Sequence, residues 1–217
     1  MLGKVNKKLI FVCYYIIKPG KRGEGMRRFL RAFFGVLIKA TSIVGSVTGA
    51  DISDGKPRIY IANSTDTRGE LATFYALGRS KMCLLVSSEE YSEKPALRTV
   101  NSKRIIAAEG GISTAWLHDA LRRIKSGESI LLFPEKQGEG GVGATFILLS
   151  LLSGAEIVPI YSKERRGVFR KVRVTVGEPL HPDSAAALTA QQVRNESERA
   201  RVSLSALAGM VCGGGTA

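Results

Sequence analysis

Histidine is nearly absent from this chain, with only His118 and His181 among its 217 residues. Cysteine is scarce as well. Cys13, Cys83 and Cys212 are odd in number and widely spaced, and none has a histidine close by in sequence. That pattern fits neither a disulfide framework nor a zinc site, and it leaves the cysteines as small buried hydrophobes in a reducing cytoplasm. Long apolar runs are missing too. The run Leu9 to Ile17 holds nine residues, well short of the about 20 that a membrane-spanning helix needs. Basic residues precede it, but the following "KPGKRGEG" offers no small-residue cleavage site, which argues against a secreted product. Internal repeats and low-complexity linkers are also lacking, so the length accommodates one sizeable domain.

Acid is the remaining shortage. Lys and Arg number 32 against 19 Asp and Glu, a net charge of +13. Residues 1–56 contain eleven basic and three acidic residues, so a net +8 is concentrated near the N-terminus. Such an excess suggests an anionic partner: a phospholipid surface, nucleic acid or a phosphorylated substrate. Within it, "MRRFLRAFFGVLIKATSIVGSV" (Met26 to Val47) has helical periodicity. At 100° per residue, Arg28, Arg31, Gly35, Lys39, Ser42 and Ser46 form a narrow stripe, and Phe29, Leu30, Phe33, Phe34, Val36, Leu37, Ile43 and Val44 cover the rest. An apolar helix with a basic stripe and no acid suits the headgroup region of an anionic membrane; a core helix with a solvated basic edge is the alternative. Nucleic acid is disfavoured, because the basic excess lies on an apolar helix without interleaved aromatic stacking residues. The codons for "RGEG" before Met26 would form a purine-rich run like a bacterial ribosome-binding site. Met26 is therefore an alternative start to Met1.

From residue 51 onward the pattern alternates between periods of two and 3.6. Strands are expected at "RIYIAN" (58–63), "MCLLVS" (82–87), "SILLFP" (129–134), "EIVPIYS" (156–162) and "KVRVTVGEP" (171–179). Helices are expected at "ELATFYALG" (70–78), at "STAWLHDALRRIKSG" (113–127) with Ser113 as cap, at "TFILLSLLSG" (145–154) and over 188–210. This order predicts an α/β fold with a mostly parallel central sheet flanked by helices, preceded by the amphipathic membrane-facing helix. The expected division is a basic, apolar membrane-association segment at 1–50 and an α/β domain at 51–217.

A carboxylate, Glu135, follows the strand end at Phe133-Pro134 and opens into a glycine-rich loop, the kind of place where α/β proteins keep their chemistry. Gly138, Gly143 and Thr145 have the spacing of a phosphate-binding P-loop, but Ala144 stands where the lysine belongs and Lys136 lies upstream. A nucleotide-binding loop and a flexible connection into a packed helix both remain open for this stretch.

Several stretches in order resemble the glycerolipid acyltransferases, the lysophosphatidate acyltransferase-like enzymes. "GKPRIYIANST" is similar to the family's strand leading into Asn-His. "ALRRIKSGESILLFPE" is similar to its helix and strand ending in Phe-Pro-Glu. Val158-Pro159-Ile160 and "VRVTVGEPL" resemble its later strands. The resemblance covers roughly residues 26–182. It implies transfer of a fatty acyl group from acyl-CoA or acyl-carrier protein to a lysophospholipid hydroxyl, without metal, further cofactor or covalent acyl-enzyme. It also implies a peripheral place on the cytoplasmic face of the membrane. On this resemblance Asn63, Phe133, Pro134, Glu135 and Lys136 bind substrate, with Glu135 organising the acceptor's polar head. The family's general-base histidine is replaced by Ser64, and Gly69 occupies the slot of the aspartate that orients it. Asp66 and Glu70 are then the candidate bases beside Ser64. Asp66 as a helix cap and Glu70 as a first-turn acid are the structural alternatives. Ala108-Glu109 stand where the family has Asp-Arg, which makes Arg104 the nearby candidate for holding phosphate. A catalytically weak or inactive lipid-binding relative is the other reading.

The basic stripe makes a direct prediction. In a flotation assay the protein should rise with anionic vesicles and be lost from them as salt increases, because surface attraction is screened over about 8 Å at 0.15 M. Binding to neither anionic nor neutral vesicles rules out the membrane reading.

Overall fold

The computed structural model describes residues 44–50, 54–63, 66–77, 81–109, 114–134, 145–165, 171–182 and 189–213. The N-terminal helix expected over Met26 to Val47 lies outside them except at its end, and that end is a strand. β1 (Val44–Gly49) pairs in parallel with β7 (Lys171–Val176). The α/β domain therefore starts before residue 51, because the β-branched Val44, Val47 and Thr48 join a ladder rather than extend a helix.

After β1 come β2 (Arg58–Ala62), α1 (Thr67–Ala76), β3 (Met82–Ser87), α2 (Ser88–Glu93), β4 (Ile105–Ala108), α3 (Ala115–Lys125), β5 (Ser129–Leu132), α4 (Thr145–Ser153), β6 (Glu156–Arg165), β7 and α5 (Ala190–Gly213). The strands form one seven-stranded sheet in the order β1-β7-β6-β2-β5-β3-β4. Every neighbouring pair is parallel except β6 and β7. The parallel neighbours are joined through helices, whereas residues 166–170 alone separate the antiparallel pair, as a short return allows. Sequence periodicity misses β1, α2 and β4; four residues, "IIAA", are too few to display a period. The expected Ser113 cap lies outside the described residues. α3 begins after Thr114, whose side chain makes no capping bond.

The central strands are buried on both faces, so their side chains divide by parity between two cores. Tyr60, Ala62, Leu84, Val86, Leu131, Val158 and Ile160 face Leu71 and Phe74 of α1. Ile59, Ile61, Cys83, Leu85, Ile130, Leu132 and Ile157 face α3, α4 and α5 through Ile124, Ile147, Leu149 and Leu204. The nearly all-apolar α4 suits this position under two neighbours. Among the described residues no helix is long and apolar enough to cross a membrane.

Register places the strand starts on one edge and their ends on the other. Arg58 lies opposite Glu156 and Met82 opposite Ser129 at the amino edge. Ala62 lies opposite Ile160 and Ser87 opposite Ala108 at the carboxyl edge. Arg58 is buried and holds the amino edge together. Its guanidinium donates to both Asp54 oxygens at 2.6 and 2.7 Å and to Glu156 Oε2 at 2.8 Å, and its N–H donates to Ser129 Oγ at 3.1 Å. Burial opposes its charge, but the two carboxylates outweigh that and raise its pKa.

Two motif positions turn out to be packing devices. Pro159 lacks an N–H, and the β6–β7 ladder stops beside it at Ile160 opposite Val176. Its carbonyl accepts from Gly177 N at 2.8 Å. A Cβ on Gly177 would lie 2.8 Å from Pro159 Cγ and 2.8 Å from Leu207 Cδ1. Gly177→Ala should therefore destabilise the fold by about 1–3 kcal/mol through overpacking. Adding Leu207→Ala should restore less than that loss, since Pro159 still crowds the site. Urea unfolding of both variants tests this, and an unchanged midpoint for Gly177→Ala would refute it.

Candidate active site

The carboxyl edge is where the sequence motifs meet. β2 delivers Asn63 there, β5 delivers Phe133 and Pro134, and α1 starts there with Asp66. Glu135, Lys136 and Ser64 lie outside the described residues, as do Gly138, Gly143 and Ala144 of the glycine loop. Thr145, the last position of the nucleotide reading, is buried in the first turn of α4.

Asn63 uses its side chain on the neighbouring backbone. Its Nδ2 donates to Ser162 O at 3.0 Å, and its Oδ1 accepts from Ser162 N at 2.6 Å. The amide thus behaves like one more paired residue and extends the β2–β6 contact past the end of β2. Ser162 also turns a hydroxyl inward, 2.7 Å from Thr73 Oγ1 of α1. Thr73 Oγ1 donates to Gly69 O at 2.8 Å. A hydroxyl has one proton, so Ser162 must be the donor in the bond between the two. Gly69 N in turn donates to Asp66 Oδ1 at 2.8 Å. One hydrogen-bonded chain therefore runs from β2 through β6 into the first turn of α1.

Within that turn the two candidate bases differ in access. Asp66 is the exposed N-cap residue, with its side chain on Gly69 N and its carbonyl on Glu70 N at 3.0 Å. Glu70 is 2% exposed, so solvent reaches Asp66 but not Glu70. Phe133 belongs to the core on the α1 face at 4% exposure, whereas Pro134 is half-buried.

Arg104 is not brought to this edge. It ends the turn before β4, its Nε donates to Met82 O at 2.9 Å, and its guanidinium lies 4.5 Å from the Phe74 ring centroid. Met82 starts β3, so Arg104 stands at the amino edge, packed on the far half of α1. The distance along β4 separates it from the motif residues, which removes the geometric basis for pairing it with their ligand. The histidines are also placed elsewhere. His118 is exposed on α3, and His181 is exposed with Nδ1 3.9 Å from Glu156 Oε1 at the amino edge.

Cys83 is buried, as expected of a small core residue. Its thiol donates to Glu128 Oε2 at 2.9 Å and accepts from Arg123 Nη1 at 3.1 Å. Burial above all, with the Glu128 bond, pushes the thiol up to about 11, which keeps it an unreactive thiol at neutral pH.

The residues that sequence reasoning overlooked are Thr73 and Ser162. One signal was present: Ser162 follows Val158 and Ile160 at a spacing of two, so a polar side chain occupies an inward-facing slot.

The fold is similar to the crystal structure of the 1-acyl-sn-glycerophosphate (LPA) acyltransferase PlsC from Thermotoga maritima. The TM-score is 0.50 and the sequence identity 13%, over 95% of this chain and 88% of that chain. At that identity the likeness is one of fold, a mixed α/β architecture on a mostly parallel sheet. No family model matches the sequence, and no curated protein sequence matches it.

Asp66 can be tested as a cap separately from any chemistry. Asp66→Ala should cost about 1 kcal/mol of stability, whereas Asp66→Asn, which keeps a capping oxygen, should cost only a few tenths. Equal losses on thermal unfolding would show that the negative charge, rather than the cap bond, matters there.

Proposed function

We propose that the chain is a divergent acyltransferase that moves a fatty acyl group from acyl-CoA or acyl-carrier protein to a lysophosphatidate-like acceptor in phospholipid synthesis. The observation that carries this reading is the convergence of Asn63, Phe133-Pro134 and the start of α1 at one sheet edge, in a fold similar to a solved acyltransferase along nearly the whole chain. In this reading the acceptor hydroxyl attacks the thioester carbonyl within a ternary complex. Asp66 takes the hydroxyl proton, and the C–S bond then breaks to release the donor thiolate, which is protonated. Glu135 orients the acceptor's polar head and Lys136 supplies positive charge to its phosphate, as a point charge rather than the fork an arginine would provide. The basic segment preceding β1 holds the α/β domain peripherally at the cytoplasmic membrane face, where acceptor and product reside.

A second reading is a lipid-binding relative that does not turn over thioester. Two observations favour it: Ser64 stands at the position of the family's histidine, and the acid Glu70 is closed off from solvent. The two readings differ by a base, which is typically worth about 10²–10⁴-fold in rate.

Thiol release from acyl-CoA and acyl-carrier protein, measured with a panel of glycerol-phosphate and lysolipid acceptors, separates them. Acyl transfer predicts acceptor-dependent release that Glu135→Ala abolishes and Asp66→Asn lowers about 10²–10⁴-fold without unfolding the protein. No release from any donor, with lysophosphatidate binding intact, selects the lipid-binding reading. Ser64→His should then raise turnover from that baseline.

A further inference from the structure

We infer that Thr73 and Ser162 are positioning residues: their buried hydroxyl pair bolts the first turn of α1 to β6 and so holds Asp66 and Asn63 in fixed relation across the site. The inference rests on the acyl-transfer reading for its kinetic consequence, but the mechanical linkage stands on the geometry alone.

Four facts support it. Both hydroxyls are sealed from water, Thr73 at 0% and Ser162 at 2% exposure, so any bond they lose goes unreplaced by solvent. The direction of donation is determined, from Ser162 to Thr73 to Gly69 O. Gly69 is the crossing point, because its carbonyl receives Thr73 while its N–H donates to Asp66. Ser162 is the second crossing point, because both its N–H and its carbonyl are held by the Asn63 amide. Asn63 and Asp66 are therefore tied to each other by one bonded chain. A shift of α1 along β6 would break the hydroxyl pair in a closed environment. Displacing Asp66 by as little as 1 Å from a reacting hydroxyl is enough to cost about 10²-fold in rate.

The chemistry makes the two residues distinguishable from ordinary core residues. Thr73→Ser keeps the hydroxyl that both accepts and donates. Thr73→Val keeps the shape but removes both side-chain bonds, leaving the Ser162 proton unmatched and the Gly69 carbonyl with only its backbone bond inside α1. Ser162→Ala leaves Thr73 bonded to Gly69 but cuts the tie to β6.

The test measures kcat and KM for acyl transfer, the melting temperature and the amide hydrogen exchange of Thr73→Val, Thr73→Ser and Ser162→Ala in the full chain. Ile124→Val, buried on the opposite face of the sheet, serves as the control for general destabilisation. The expected result is a fall in kcat of about tenfold or more for Thr73→Val and Ser162→Ala with KM little changed. Thr73→Ser should restore kcat, and Ile124→Val should leave it unaltered at a comparable drop in melting temperature. Faster exchange should be confined to residues 66–73 and 162. If the wild-type protein transfers no acyl group, the functional reading fails and the exchange pattern alone decides the linkage. Unchanged exchange in Thr73→Val, or a kcat that simply follows melting temperature across all four variants, overturns the inference.

Discussion

The structure depends on β2, five residues buried on both faces and paired in parallel with β5 on one side and β6 on the other. A strand in that position cannot slide, because a shift of one residue would exchange Tyr60 and Ala62 with Ile59 and Ile61 between two differently packed cores. Its ends are secured by opposite chemistry. At the amino end the buried Arg58 charge is neutralised by Asp54 and Glu156. At the carboxyl end the neutral amide of Asn63 clasps the Ser162 backbone. The ionic end is a closed structural device. The polar, uncharged end leaves the neighbouring acid, Asp66, accessible.

That arrangement gives several residues of the strand-end stretches a mechanical reason. Asn63 extends a ladder, Phe133 fills a core, and Pro159 with Gly177 lets β6 and α5 approach closely. Residues of this kind shape the strand ends at the carboxyl edge. In the proposed reading the reacting groups are fewer: Asp66 at the cap of α1, and the Glu135-Lys136 pair that follows β5.

Burial separates the two acids of α1 more sharply than composition does. Asp66 and Glu70 are four residues apart in the same first turn, yet one is exposed and the other 2% exposed. A carboxylate at a helix start is favoured by the unpaired amides there in either position. Tertiary packing around α1, rather than the local sequence, decides which of them solvent reaches. The same packing takes Arg104 out of the site and seats it on Phe74.

The fold class was legible from the sequence because parallel central strands read as short apolar runs, and helices between them announce themselves at 3.6-residue spacing. Strands β2, β3, β5, β6 and β7 and helices α1, α3, α4 and α5 all carried such signals. β1 and β4 did not: the first continues an apolar helical pattern, and the second is four residues long. The order of the apolar runs, the basic excess and the scarcity of histidine are likewise properties of sequence alone. Tertiary structure decided which side of the sheet each residue serves. It placed Asn63, Phe133 and Asp66 at one edge and Arg104 and His181 at the other, and it joined Thr73 to Ser162 across 89 positions. Local patterns encode periodicity and propensity, whereas strand order and register are set by long-range pairing, which no short stretch of residues contains.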